Sequence, residues 1–237
     1  MKIFALYYDR YESATTSKVL GDCGYEHIVL CHNNSDKFRN IHEKGFLIET
    51  NKPKGIQNNM NHALSLLQDG EWCIMMSDDY KCSKKLKNGK FVDCDISYPI
   101  EQLKSVIKKA DDIGVNLIGL NSTGNAFYAK KKYSKFGLVD GRCFAIKKTN
   151  FTYHNDINTI PDYYATAYHL KKYKGNLILN YTFCDFERYK KGGLGSINDR
   201  VKDKIKDCEL LSKMFPNNIA IKNKVNQPKN SHVILKK

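Results

Sequence analysis

Ser77-Asp78-Asp79 closes the apolar run Trp72-Cys73-Ile74-Met75-Met76. Two adjacent carboxylates at the end of a buried strand repel each other and need solvent or a cation beside them. Mg²⁺ or Mn²⁺ suits such a pair, because ions of this kind take one or two carboxylates and complete their shell with substrate phosphate oxygens. An ordinary acidic turn accounts for the same residues, since Asp is a frequent turn former. A second cluster is Lys190-Lys191-Gly192-Gly193-Leu194-Gly195-Ser196. Its glycines, with Lys191 and Ser196, suit a loop that closes over a diphosphate and turns backbone N–H groups of Gly192 and Gly193 toward the oxygens. A plain surface turn is the alternative there. Aromatic and basic side chains interleave at 127–136 (Phe127, Tyr128, Lys130, Lys131, Lys132, Tyr133, Lys135, Phe136) and again at 186–191. That mixture fits phosphate contact and base stacking, and it also occurs where Lys is only the solvated side of an amphipathic strand.

The elements that must carry these groups alternate in type. Short apolar runs at 3–8, 27–31, 46–49, 72–76 and 116–120 read as buried strands. Between them lie helical stretches at 11–20 (closed by Gly21), at 56–67 with the stripe Ile56, Met60, Ala63, Leu64 and Leu67, and at 99–112 with Pro99 in its first turn. This alternation predicts an α/β fold of one domain: a mixed, mainly parallel sheet flanked by helices. Ligands of such sheets bind beyond the carboxyl ends of the strands. By that rule Tyr8, Asp9 and Arg10, then His32-Asn33-Asn34, then Asp78 and Asp79 line one edge. The second half is less regular. Segments 127–129 and 142–146 read as strands forming a hairpin-like addition, 162–172 as a helix, 176–180 as a strand and 199–214 as a charged helix. The stretch from Asn217 onward reads as a basic arm or tail.

The chain has 237 residues, 41% of them hydrophobic, with 15 Tyr and 11 Phe, which is enough for one sizeable core. Its formal charge is +14, divided as −3 over residues 1–80 and +17 over 81–237. A basic half beside a near-neutral half points to a polyanionic partner, although a lysine-rich coding bias produces the same balance. Eight cysteines form no C-x-x-C pair and no zinc spacing. No run of apolar residues is long enough to span a bilayer. Because Asp9 interrupts the first apolar run, the amino terminus does not read as a secretory signal, and the expectation is a cytoplasmic protein with reduced thiols.

The order strand, helix, strand, polar turn, Gly55…Asn58-Asn59 helix, apolar strand, Ser77-Asp78-Asp79 resembles the amino-terminal half of the GT-A fold glycosyltransferases. There a Gly and a polar pair on a helix precede a hydrophobic strand that ends in Asp-x-Asp; here the first position of that motif is Ser77. The resemblance covers residues 1–122 and implies a nucleotide-sugar-binding half, with 123–237 as a basic acceptor-binding half of the same domain. It implies a UDP-sugar donor contacted by Tyr8, Asp9, Arg10, Asn58, Asn59, Asp78, Lys191, Gly192, Gly193 and Ser196. It implies Mn²⁺ or Mg²⁺ on Asp79, with Asp185 or His232 completing the metal shell, and Asp162 as general base at the start of an acceptor-side helix. A helix-capping role is the alternative for Asp162. In its size, lysine bias and basic second half the chain is similar to phage DNA-modifying glycosyltransferases. Their acceptor, a hydroxymethylated or already glycosylated pyrimidine in DNA, and a host-cell cytoplasm are what that likeness implies. A surface polysaccharide or lipid-linked acceptor, and a non-catalytic nucleic-acid-binding module, are the competing readings.

Overall fold

Residues 1–7, 15–32, 41–50, 55–187, 197–224 and 227–236 are described by a computed structural model. The first four strands are β1 (Lys2–Leu6), β2 (His27–His32), β3 (Gly45–Thr50) and β4 (Trp72–Ser77). Helix α1 (Thr15–Asp22) joins β1 to β2, and α2 (Ile56–Ser65) joins β3 to β4. These four strands run parallel, in the spatial order β3-β2-β1-β4. The chain therefore walks outward from β1 to β3, then crosses back to lay β4 on the other side of β1. The order reverses between β1 and β4, where Leu6 stands opposite Ser77. Crevices at such reversals are where open α/β sheets bind ligands.

The remainder of the main sheet is β9 (Cys143–Lys147), β7 (Leu117–Leu120), β10 (Leu177–Leu179) and β8 (Tyr133–Ser134), in that order outward from β4. β9 is antiparallel to both β4 and β7, with Met76 opposite Cys143. The segment read as a peripheral hairpin is thus a central strand. Its run Cys143-Phe144-Ala145-Ile146 is buried on both faces, as that position requires. The alternating faces of the sheet feed two cores. Phe4, Leu6 and Met75 pack with Met60 and Leu64 of α2, with Tyr164 and Ala167 of α5 (Pro161–Tyr173), and with Leu211 of α6 (Ile197–Met214). Ile3, Ile74 and Met76 pack with Leu20 of α1 and with Ile100 and Leu103 of α3 (Ser97–Ser105).

Several elements differ from the sequence reading. The helix read as 99–112 is two, α3 and α4 (Ile107–Asp112), divided at Val106 with φ −103° and ψ 3°. Gly21 lies inside α1, and the turn follows it at Gly24, whose φ is 85°. A second sheet, in the order β11-β5-β6, is built from β5 (Tyr80–Lys87), β6 (Lys90–Cys94) and β11 (Thr182–Phe186). The β5–β6 hairpin turns at Asn88-Gly89, both with positive φ, the dipeptide that matches strand twist in a two-residue turn. The segment Phe127-Tyr128-Ala129, read as a strand, instead follows a 3₁₀ turn, Ala126–Tyr128, because the Asn125 side chain accepts the Phe127 N–H at 2.9 Å. The last stretch is an ordered hairpin, β12 (Ile219–Lys224) and β13 (Gln227–Leu235), packed on α6 through Ile219 and Val233. Among the described residues no helix is long and apolar enough to cross a membrane.

Candidate functional site

Asp78 and Asp79 leave β4 at the strand-order reversal, and they are only 5% and 7% exposed. Neighbouring elements grip their backbone. Thr15 Oγ1 donates to the Asp78 carbonyl at 3.0 Å, and Thr16 Oγ1 donates to the Ser77 carbonyl at 2.6 Å while accepting from Tyr80 N at 3.1 Å. Glu187 N donates to the Asp79 carbonyl at 2.8 Å. The Ser77 hydroxyl donates to Asp79 Oδ1 at 2.9 Å, so the serine in the first motif position orients the second aspartate. Tyr7, just past β1, is buried against the same turn. Burial pushes its phenol well above the ordinary range, with Asp78 and Asp79 adding to the rise, so Tyr7 stays a neutral hydroxyl.

The polar residues of α2 hold the neighbouring walls. Asn59 Nδ2 donates to the Tyr7 carbonyl at 3.0 Å, and its Oδ1 accepts from Thr50 Oγ1 at 3.2 Å, tying the carboxyl ends of β1 and β3 together. Asn58 is half-buried one residue earlier. Gly55 precedes the helix with φ 151°, and a Cβ there would meet the Gln57 side chain at 2.6 Å, so the position demands glycine. Gln57 in turn donates to the Asn155 carbonyl at 3.1 Å and to Asn158 Oδ1, which links α2 to the loop before α5.

Because β9 runs antiparallel beside β4, its amino-terminal turn lies next to the aspartates, and Ser77 N donates to the Arg142 carbonyl at 2.8 Å. The sequence reading took Arg142 only as the first residue of a strand and gave Asp140 and Gly141 no role. Arg142 forks onto Asp140, with Nε 2.7 Å from Oδ1 and Nη2 on Oδ2. The guanidinium also lies close enough to Asp185 and Asp162 for both carboxylates to favour its charge. Asp162 stands in the first turn of α5 after Pro161, and a Cβ at Gly141 would come within 3.1 Å of Asp162 Cβ. Its Oδ1 accepts from Tyr163 N at 3.0 Å. Burial, then repulsion from Asp140, pushes the Asp162 carboxyl up to about 7. Asp185 sits on β11 beside the bulge that brings Phe186 opposite Tyr80, and its Oδ2 is 3.3 Å from Lys81 Nζ.

The Asp78-Asp79 turn thus lies beside the Asp140-Arg142 turn, whose guanidinium is near both Asp162 and Asp185, while Asn59 of α2 secures Tyr7 on the other side. His232 is on β13, opposite Lys222 of β12; its side chain lies outside those described. Tyr8, Asp9, Arg10, Asn33, Asn34, Lys191, Gly192, Gly193 and Ser196 lie outside the described residues. Sequence reasoning missed Tyr7, Thr15, Thr16, Asp140 and Arg142. An available signal for the last two was the Asp-Gly turn immediately before an apolar strand.

Chemically, the edge offers hard oxygen donors at the aspartate turn and a carboxyl able to exchange a proton near neutrality. Among the described residues no three His, Cys, Asp or Glu side chains converge on one metal position. The donor set nevertheless fits Mg²⁺ or Mn²⁺ held by one or two carboxylates, with substrate phosphates and water as the other ligands.

No family model matches the chain, and no curated protein sequence matches it. Solved structures similar to it include the crystal structure of a mycobacterial protein, with a TM-score of 0.58 at 6% identity, covering 99% of this chain and 83% of that one. Another is mannose-6-phosphate isomerase from Helicobacter pylori, with a TM-score of 0.35 at 11% identity, covering 100% of this chain and 87% of that one. The first is a likeness of fold alone, and the second is too slight to carry even that.

Proposed function

We propose that this chain is a glycosyltransferase that moves a sugar from a UDP-sugar to an acceptor hydroxyl. The observation that carries the reading is the two nearly buried carboxylates at the strand-order reversal, beside the turn (joined to Ser77 through the Arg142 carbonyl) whose Gly141 packs on Asp162, a carboxyl that ionises at about 7. A general base is most effective when its pKa lies near the working pH. Asp162 accepts the proton of the acceptor hydroxyl as that oxygen bonds to the anomeric carbon. The bond from that carbon to the diphosphate oxygen breaks, and UDP departs with the electron pair. Asp79, with Asp78 beside it, would hold Mn²⁺ or Mg²⁺, which when bound offsets charge on the diphosphate. Ser77 orients Asp79 through its 2.9 Å hydrogen bond. Arg142, fixed by Asp140, adds positive charge near Asp162 and Asp185.

The acceptor in this proposal is a hydroxymethylated, or already glycosylated, pyrimidine in phage DNA. The +17 charge of residues 81–237 supports a polyanionic acceptor. Eight free thiols are in keeping with a reducing cytoplasm.

The test is transfer from a panel of UDP-sugars, with Mn²⁺ present, to duplexes carrying hydroxymethylcytosine or its glycosylated form, to unmodified duplexes, and to polysaccharide or lipid-linked acceptors. The reading expects mass gain on a modified duplex alone, and its loss in Asp162→Asn. Transfer only to the carbohydrate acceptors would keep the enzyme class and remove DNA as the acceptor. No transfer with any donor, alongside binding to DNA, would favour a non-catalytic module.

A further inference from the structure

Among the described large hydrophobic side chains, Phe127 and Tyr128 are the most exposed, at 64% and 63%. They are neighbours in sequence, with ring centroids 5.3 Å apart at an interplanar angle of 89°. Lys130 Nζ lies 4.6 Å from the Phe127 ring centroid. The segment that presents them is firmly built. Asn121 Oδ1 accepts from Thr123 N and Gly124 N, both at 3.0 Å, and Asn121 Nδ2 donates to the Asn180 carbonyl at 3.2 Å. Asn180 Nδ2 donates to the Lys131 carbonyl at 2.8 Å. Two rings held in water on a fixed loop forgo burial that a mobile or polar loop would not sacrifice, which marks a contact surface.

Position and charge narrow the occupant. β7 is antiparallel to β9, which is antiparallel to β4, so the loop leaving β7 starts on the same sheet edge as the Asp78-Asp79 turn. The two loops start two strand spacings apart, about 10 Å. Residues 121–139 contain four lysines and no acidic residue, and Lys130, Lys131 and Lys132 are all exposed. Lys132 lies over the Tyr133 and Tyr181 rings, 5.4 Å from each centroid. That leaves Lys130, over the Phe127 ring, and the exposed Lys131 next to it in sequence as the cations that accompany the pair.

We infer that Phe127 and Tyr128 form a stacking platform for an unpaired base of a nucleic acid strand, with Lys130 and Lys131 on its phosphates. The inference deepens the acceptor reading above and rests on it for its role in catalysis; binding itself needs no donor. Stacking tolerates any base, because every base has a π face, and it fails on an abasic chain. Lysine contacts add a salt-dependent term that is independent of sequence.

The experiment is fluorescence anisotropy of a labelled single-stranded oligonucleotide on the full chain across a salt series. Phe127→Ala/Tyr128→Ala is expected to weaken binding about five- to hundred-fold with the salt slope unchanged. Lys130→Ala/Lys131→Ala is expected to lower the slope by about one to two units. Phe127→Trp supplies an exposed reporter in a chain whose one native tryptophan, Trp72, is buried. Its emission should be quenched by the oligonucleotide and much less by an abasic one of equal length. Unchanged affinity in the aromatic double variant, equal quenching by the abasic chain, or equal quenching by a neutral oligosaccharide would overturn the platform. Absence of any UDP-sugar binding in the same preparation sinks the transferase reading and leaves the platform standing.

Discussion

Asp162 titrates at about 7 because burial disfavours its anion and Asp140 repels it. Two pH effects of opposite sign follow. The folded chain keeps a proton that the unfolded chain has lost between about pH 4 and pH 7, so this group's contribution to stability is full below that window and is lost as pH rises through it. Asp162→Asn should therefore melt above the wild type at pH 8, with the gap closing toward pH 4; a gap independent of pH would contradict the assignment. In the proposed transfer the base must be ionised, so kcat/KM should rise with pH through about 7, and Asp162→Asn should lower kcat by roughly 10²- to 10⁴-fold. At this scale the acidic pair was readable from sequence, because charges directly after an apolar strand stand out. Asp140 and Arg142 were not, since their meaning arises only when β9 inserts beside β4.

Elements hold that chemistry through a few side chains doing double duty. Thr16 is fully buried, and its hydroxyl serves both Ser77 O and Tyr80 N. Thr16→Val keeps the shape and strands both partners, at about 1–3 kcal/mol each. The urea midpoint should fall accordingly, and a midpoint equal to wild type would show that α1 does not secure the turn. Asp207 of α6 plays a similar part for α5, its Oδ2 accepting Asn158 N at 3.0 Å and Thr159 N and Oγ1 at 2.6 Å. Asp207→Ala should destabilise by about 2–4 kcal/mol in the same measurement, since buried charge-assisted acceptors cost the most to remove. The apolar strands and the stripe of α2 were legible because burial imposes their periodicity. β5 and β6 were obscured by Lys81, Lys84, Lys85, Lys87 and Lys90, although Asn88-Gly89 marked their turn. The 3₁₀ turn at Phe127 was hidden because aromatic residues also favour strands, and there Asn125 decides the outcome.

Across the whole molecule, the second half does not form a separate layer. β9, β10 and β8 complete the sheet begun by the first four strands, and α5 and α6 cover the same face as α2. The terminal hairpin belongs to this core, so truncation after Met214 would uncover Cys208, Leu211 and Tyr164. Such a chain should lose its cooperative thermal transition; a sharp melt would mean that the hairpin is dispensable. The α/β class was legible from the alternation over residues 1–120, whereas the integration of the carboxyl-terminal segments depends on packing between distant residues. The proposed transfer requires a nucleoside diphosphate to bind at the Asp78-Asp79 turn. Calorimetric titration of UDP into the wild type and Asp79→Asn, with Mn²⁺ and with chelator, tests it most directly. The expected result is binding by the wild type with Mn²⁺, abolished by the chelator or by the substitution. UDP binding that ignores both, or no binding under any condition, would contradict the account.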